Sequence, residues 1–333
     1  MGTTGGGSRE FGHGGNPPLV DVAAAFATVP GRGKVCGADR PLVDSDPIGH
    51  YQGMGVYRDR WVVLTHSTRL WDAGWFTVWD SASGGVTVHP IPTPDGMKHP
   101  GGLQVIGDYL VLGVEPTAED ALPSLVCFYD LRDIERGGPK PLPRPRITSA
   151  WRSAAAVGIA RLGDRHVLAV HGSDPCGKTY FYWSDGRPLG DPDLTFDTEE
   201  PILGFRAEVN GKRTGYDNLA LLTSTAGELF MVGLRGDTNP RLHTDDHADL
   251  WRIDVDPRGP KAELVATREF TTEGWGPLLP HFRFGAGAAA TGDSALEIFC
   301  SSRSAFVGLE MNVFTDGPVW SSDQLAEQER GQR

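Results

Sequence analysis

The chain has 333 residues, 43 acidic and 31 basic, for a net charge of −12. That balance speaks against binding along a nucleic-acid backbone, which needs a basic face. No stretch approaches the ~20 apolar residues that cross a bilayer, and 44 Gly with 25 Pro suit many strands and turns better than helices.

Residues 1–18, MGTTGGGSREFGHGGNPP, are Gly-rich and lack the positive-then-apolar pattern of a secretion signal. They read as a disordered leader, 19–320 as one β domain and 321–333 as a flexible tail. The compartment stays open, cytoplasmic or secreted with a signal removed. LVDVAAAFATV (19–29) is expected to supply a closing strand; its Ala run leaves a helix as the alternative.

One pattern then recurs five times: a strand of small or apolar residues, a turn, and a second, more hydrophobic strand. The copies are 52–67, 101–115, 155–172, 218–236 and 285–303. Third strands are expected at 75–81, 124–133, 179–186, 248–257 and 308–314. Fourth strands are expected at 86–92, 146–151, 194–200 and 262–270. Gly and Ala in the first strands suit the crowded innermost position of a radial array. The fold class read from this is all-β: a single five-bladed β-propeller of four-stranded antiparallel blades, its ring closed by N- and C-terminal strands. The chain resembles the five-bladed propellers shared by certain glycosidases, a lectin and other enzymes. It carries no motif distinctive of one such family, so the resemblance implies architecture and little chemistry.

In such units the residues before the first strand and the last residue of the second return to one rim. These positions hold His50 and His66, His99 and Glu115, Trp151 to Ser153 with His171, Tyr216 and Asp217 with Arg235, and His281 and Arg283 with Arg303. Dissimilar polar side chains converging on one axis point to a single asymmetric site, and so to an enzyme rather than a multivalent lectin or a protein-interaction scaffold. A single-site carbohydrate or small-molecule binder is the alternative.

Two chemistries fit these residue types. In one, His50, His99 and His281 hold a divalent metal (Zn, Mn, Fe, Ni or Ca), with Glu115 or His66 in support. In the other, His50, His66, His99, Glu115, His171, Asp217 and His281 supply acid–base catalysis. Tyr216, Arg235, Arg283, Arg303 and Trp151 then bind the substrate. The expected activity is elimination, isomerisation, cyclisation or hydrolysis of a small molecule or carbohydrate. A glycosidase using paired carboxylates is a further option, with Glu115, Asp217 and Glu273 as candidates. With no dinucleotide-binding βαβ unit and no GxSxG elbow, neither NAD(P) redox work nor that class of hydrolase is expected, and the chain reads as a monomer.

HTDDHAD (243–249) reads as a solvated loop and NGKRTG (210–215) as a turn. Cys127 and Cys300 lie in apolar strands as buried thiols, while Cys36 and Cys176 lie in loops where they could pair. Trp61, Trp79 and Trp251 read as core; Trp71, Trp75 and Trp275 lie where they could stack on a ligand.

Overall fold

The structure is a computed structural model. It describes residues 16–38, 48–68, 73–93, 97–116, 124–148, 153–172, 177–197, 202–236, 246–256, 261–274, 279–303, 309–317 and 319. Trp71, Trp151, Cys176 and Trp275 lie outside these, as do most of the leader and the C-terminal tail.

Near the N-terminus come helix α1 (Val22–Thr28) and strand β1 (Lys34–Ala38). Unit one contains β2 (Ile48–Tyr57), β3 (Trp61–Thr68), β4 (Gly74–Asp80) and β5 (Gly85–Pro90). Unit two contains β6 (Met97–Ile106), β7 (Tyr109–Pro116) and β8 (Leu125–Asp130). After the short helix α2 (Ile134–Gly137), strands β9 (Lys140–Pro141) and β10 (Ile147–Thr148) both pair with β8. Unit three contains β11 (Ala156–Leu162), β12 (Arg165–His171), β13 (Lys178–Trp183) and β14 (Ile202–Arg206). A two-residue ladder, β15 (Glu208–Val209) with β16 (Lys212–Arg213), leads to unit four. That unit contains β17 (Asn218–Thr223), β18 (Leu229–Arg235), β19 (Asp246–Asp254) and β20 (Lys261–Phe270). Unit five contains β21 (Ala286–Ala290), β22 (Leu296–Ser301) and β23 (Leu309–Phe314), with β1 antiparallel along β23 as its outermost strand.

Within each unit, consecutive strands are antiparallel. The first strands lie beside one another, β2 against β6, β6 against β11, β11 against β17, β17 against β21, and β21 against β2. The last contact includes a parallel pairing of Gly53 with Ala286. The chain thus resembles a β-propeller, in which each sheet buries both faces against its neighbours.

Sequence dictates this packing in two ways. First, the inner strands need residues without bulk: a Cβ on Gly101 would stand 2.4 Å from the Ala155 carbonyl oxygen. Second, the middle strands are apolar on both faces. Val111 and Phe128 of unit two share one buried cluster with Ile159, Leu168 and Tyr182 of unit three. Val167 and Phe181 of unit three share another with Leu221 and Trp251 of unit four. Each such side chain contributes roughly 1.5–3 kcal/mol by leaving water.

Polar side chains bridge the inner strands. Thr65 Oγ1 accepts from Gly53 N–H and donates to the Gly101 carbonyl. Gly102 N–H donates to the Ala155 carbonyl. Gln104 is buried and accepts from the Ile159 and Leu221 amides at 2.7 and 2.9 Å, while its own amide donates to the Leu221 carbonyl. Asn218 Nδ2 donates to the Phe284 carbonyl at 2.8 Å.

Four expectations are corrected. Segment 19–29 is not a strand: Asp21 caps α1 by accepting from Ala24 N–H at 2.9 Å. Val22, Ala25 and Phe26 bury into the cluster shared by units four and five, and the outermost strand of unit five is β1 instead. In unit three the fourth strand is β14, which begins two residues beyond 194–200; among the described residues of that stretch, Phe196 forms an isolated bridge with Ser184. The solvated loop at 243–249 becomes, from Asp246 onward, the start of β19, with Asp246 and Asp249 buried. Cys36, Cys127 and Cys300 are buried free thiols, so Cys36 is unpaired with Cys176. Burial pushes the Cys36 thiol up to about 12.

Candidate active site

The rim was expected to bring second-strand ends back beside first-strand starts, and in unit two it does. His99 and Glu115 are register partners across β6 and β7, Nε2 to Oε2 3.9 Å. Glu115 also accepts a short hydrogen bond from Ser153 Oγ of unit three. On the other side of His99 stands Gln52 of unit one, whose Nε2 donates toward His99 Nε2 at 3.3 Å and more closely toward His50 Nε2. Gln52 is the extra residue of a bulge in β2, and its side chain meets His50 two residues before it. The His50 and His99 rings lie 6.2 Å apart, centroid to centroid.

His50 continues the cluster towards unit five. Its ring meets Phe284 edge-on at 6.3 Å, and the Arg303 guanidinium lies 5.7 Å from the same Phe284 ring. Burial, with Arg303 and Arg283 adding repulsion, lowers the His50 pKa to about 4. Burial, with His50 adding repulsion, likewise lowers His99 to about 4. Both imidazoles are neutral at pH 7.

Arg283 acts on a second group. Asp217, half-buried at the start of unit four, has its carboxyl pushed up to about 6 by burial, against the pull of Arg283 and of the Gly236 N–H. Glu115, His99, Gln52 and His50 thus form a chain of contacts, and Arg283 lies near enough to act electrostatically on both His50 and Asp217, so that one polar arc draws on four of the five units.

The other expected residues are built into the walls. His66 is the register partner of Tyr51 and His50 that of Ser67; the register shift between Tyr51 and Gly53 only moves His66 from Gln52 to Tyr51. His66 is buried edge-on against that tyrosine, and burial lowers its pKa to about 4. His171 is buried; its Nδ1 meets Thr179 Oγ1 at 2.9 Å and its Nε2 accepts from the Tyr216 N–H at 3.0 Å. The Tyr216 hydroxyl turns into unit four, donating to Asp249 and accepting from Trp251 Nε1. Arg235 Nε also donates to Asp249, at 3.0 Å. His281 Nδ1 accepts from the Arg283 N–H at 3.1 Å and lies 3.4 Å from Asp246, which fixes the turn carrying Arg283 and Phe284. Glu273 pairs with Arg32. His171 and His281 thus hold the rim backbone at Tyr216 and Arg283 from behind.

The proposed metal trio is not gathered. Gln52 occupies the space between His50 and His99, and Phe284 is in ring contact with both His50 and His281. Among the described residues no group of three or more His, Cys, Asp or Glu side chains stands where it could hold a metal ion.

Sequence reasoning missed Gln52, Phe284 and Gln104. For Gln52 the signal was its place two residues after His50 in the same first strand, although the bulge there breaks strict alternation. Gln104 had none, because its partners are backbone groups of other units.

No protein-family model matches the chain, and no curated protein matches it. Several solved structures are similar in outline. A Bombyx mori GH32 β-fructofuranosidase is 13% identical, with a TM-score of 0.43, over 83% of this chain and 61% of that one. The chain therefore spans about 61% of that enzyme's length. AofleA from Arthrobotrys oligospora is 9% identical over 87% and 88%, with a TM-score of 0.42. A soluble aldose sugar dehydrogenase from Escherichia coli is 10% identical over 84% and 99%, with a TM-score of 0.38. Likeness at this level does not bear on chemistry. Among the described residues, no helix is long and apolar enough to cross a membrane.

Proposed function

We propose that the five units are five blades closed into a ring, and that the polar arc on one rim is the active site of an enzyme. Its chemistry is non-redox acid–base catalysis on a small molecule or carbohydrate. The closed ring is supported by polar or backbone links at every seam between first strands, from Gly53–Ala286 round to Asn218–Phe284.

The observation that carries the activity is the contrast between two carboxyl groups on different blades. Asp217, raised to about 6, stays about one-tenth protonated at pH 7, far more than an ordinary aspartate, and serves as general acid. Glu115, held by Ser153 and facing His99, serves as general base. Neutral His50 and His99 bind substrate hydroxyls, and Arg283 with Arg303 binds an anionic group or the charge that develops during reaction. Water-mediated hydrolysis and proton abstraction with elimination both use this set.

The test is turnover of a panel of neutral and acidic oligosaccharides, followed by new reducing ends and by absorbance of unsaturated products. Asp217→Asn and Glu115→Gln are each expected to lower kcat by about 100-fold or more while leaving the fold intact. Full activity in both variants would overturn the reading.

A further inference from the structure

The opposite end of the molecule carries a second polar centre. On β11 and β12, Arg161 and His166 are register partners, so their side chains leave the same face. That face looks toward unit two, five residues and roughly 16 Å along β11 from the rim end at Ala156. An open cavity of about 1010 Å³ lies there, walled by Ile106, Tyr109 and Leu189 among others, with Arg161 and His166 in its lining. Its size and largely apolar wall are those of a small-molecule site.

Two polar groups in it are not consumed by the fold. His166 is only 8% exposed, yet its Nδ1 has no hydrogen-bond partner among the described residues. A buried ring nitrogen without a partner costs stability unless a ligand or water meets it. Arg161 makes one hydrogen bond, from Nε to the carbonyl of Gly163 on its own turn, and no ion pair among the described residues. It is close enough to depress the His166 pKa, which burial lowers to about 4. The other charged groups in the lining differ. Asp108 takes hydrogen bonds from Tyr57 and Arg58. Arg187 donates to the Asp193 carbonyl and stands 3.7 Å from Asp185. Asp164, at the turn, is the lining carboxylate without such partners among the described residues.

We infer that this cavity is a second ligand site, which takes a small molecule with an aromatic or aliphatic body and a carboxylate. The carboxylate pairs with Arg161 and accepts from the His166 imidazole, while the body lies against Ile106, Tyr109 and Leu189. The site is independent of the rim and of the activity proposed there.

Benzoate is the probe, titrated calorimetrically into the full-length protein at neutral pH, with benzamide and benzylamine in parallel. Benzoate is expected to bind, and benzamide to bind about tenfold more weakly or not at all. Arg161→Gln, a change at an exposed side chain, is expected to weaken benzoate about tenfold, and Arg161→Lys to restore part of the loss. Arg303→Gln, on the rim, should leave benzoate binding unchanged. Equal binding of benzamide, preference for benzylamine, absence of benzoate binding, or loss in Arg303→Gln with retention in Arg161→Gln would each overturn the inference.

Discussion

His99 and Glu115 face each other across β6 and β7, with 3.9 Å between Nε2 and Oε2. The contact ties the imidazole that Gln52 reaches to the carboxylate that Ser153 holds. It makes unit two the hinge of the polar arc. His99→Ala should therefore lower activity, and Glu115→Gln should lower it more, because the first removes a binder and the second a proton acceptor. Kinetics on the pair should show the His99 effect mainly in KM and the Glu115 effect mainly in kcat. The reverse split would interchange the roles.

Gln104 should matter for stability alone. Its amide meets two backbone N–H groups and one carbonyl on units three and four. Gln104→Ala leaves these buried without partners, at about 1–3 kcal/mol each before water re-enters. Urea denaturation is expected to show a loss of roughly 3 kcal/mol or more. A loss below about 1 kcal/mol would mean the amide does not hold the units together.

Gly101 is a steric test of the inner strands. A methyl group there meets the Ala155 carbonyl at 2.4 Å, so the two strands must part. Gly101→Ala is expected to cost about 1–3 kcal/mol, the scale of overpacking in a close-packed core. Gly84, whose added Cβ would meet nothing within 4 Å, is the contrast: its φ of +69° makes an alanine strained but not crowded.

These particulars show how far the sequence could be read. The paired first and second strands were legible at all five places because alternation and turn residues are local signals. The helix at 22–28 competed with a strand reading, and what decided it was the cap by Asp21 together with an apolar seam to fill. His50 and His66 were set side by side by counting, but His66 pairs with Tyr51 and is buried against its ring, while His50 pairs with Ser67. His171, Tyr216 and Arg235 were rightly placed in the chain, yet their chemistry is turned inward by Thr179, Asp249 and Trp251, partners that only the fold supplies.

Four histidines shape the response to acid. Burial lowers His50, His66, His99 and His166 from 6.5 to about 4. The unfolded chain takes up these protons below about pH 6.5 while the folded chain stays neutral, so stability falls as pH drops from about 6.5 towards 4. Asp217, raised to about 6, works the other way over part of that window but is a single group. His66 is 3% exposed, and its share between pH 7 and pH 5 is about 2 kcal/mol by linkage. His66→Leu should flatten the pH dependence by that order in urea titrations. A slope identical to that of the parent would contradict the neutral, buried imidazole.

Asp217 as the proton donor is tested most directly by the pH dependence of kcat on a turned-over substrate. With Asp217 supplying the proton, the parent enzyme should lose rate as pH rises through about 6. Asp217→Asn should retain only a small residual rate, with that alkaline limb gone. A limb near 6 that persists at full rate in Asp217→Asn would show that another group carries the proton.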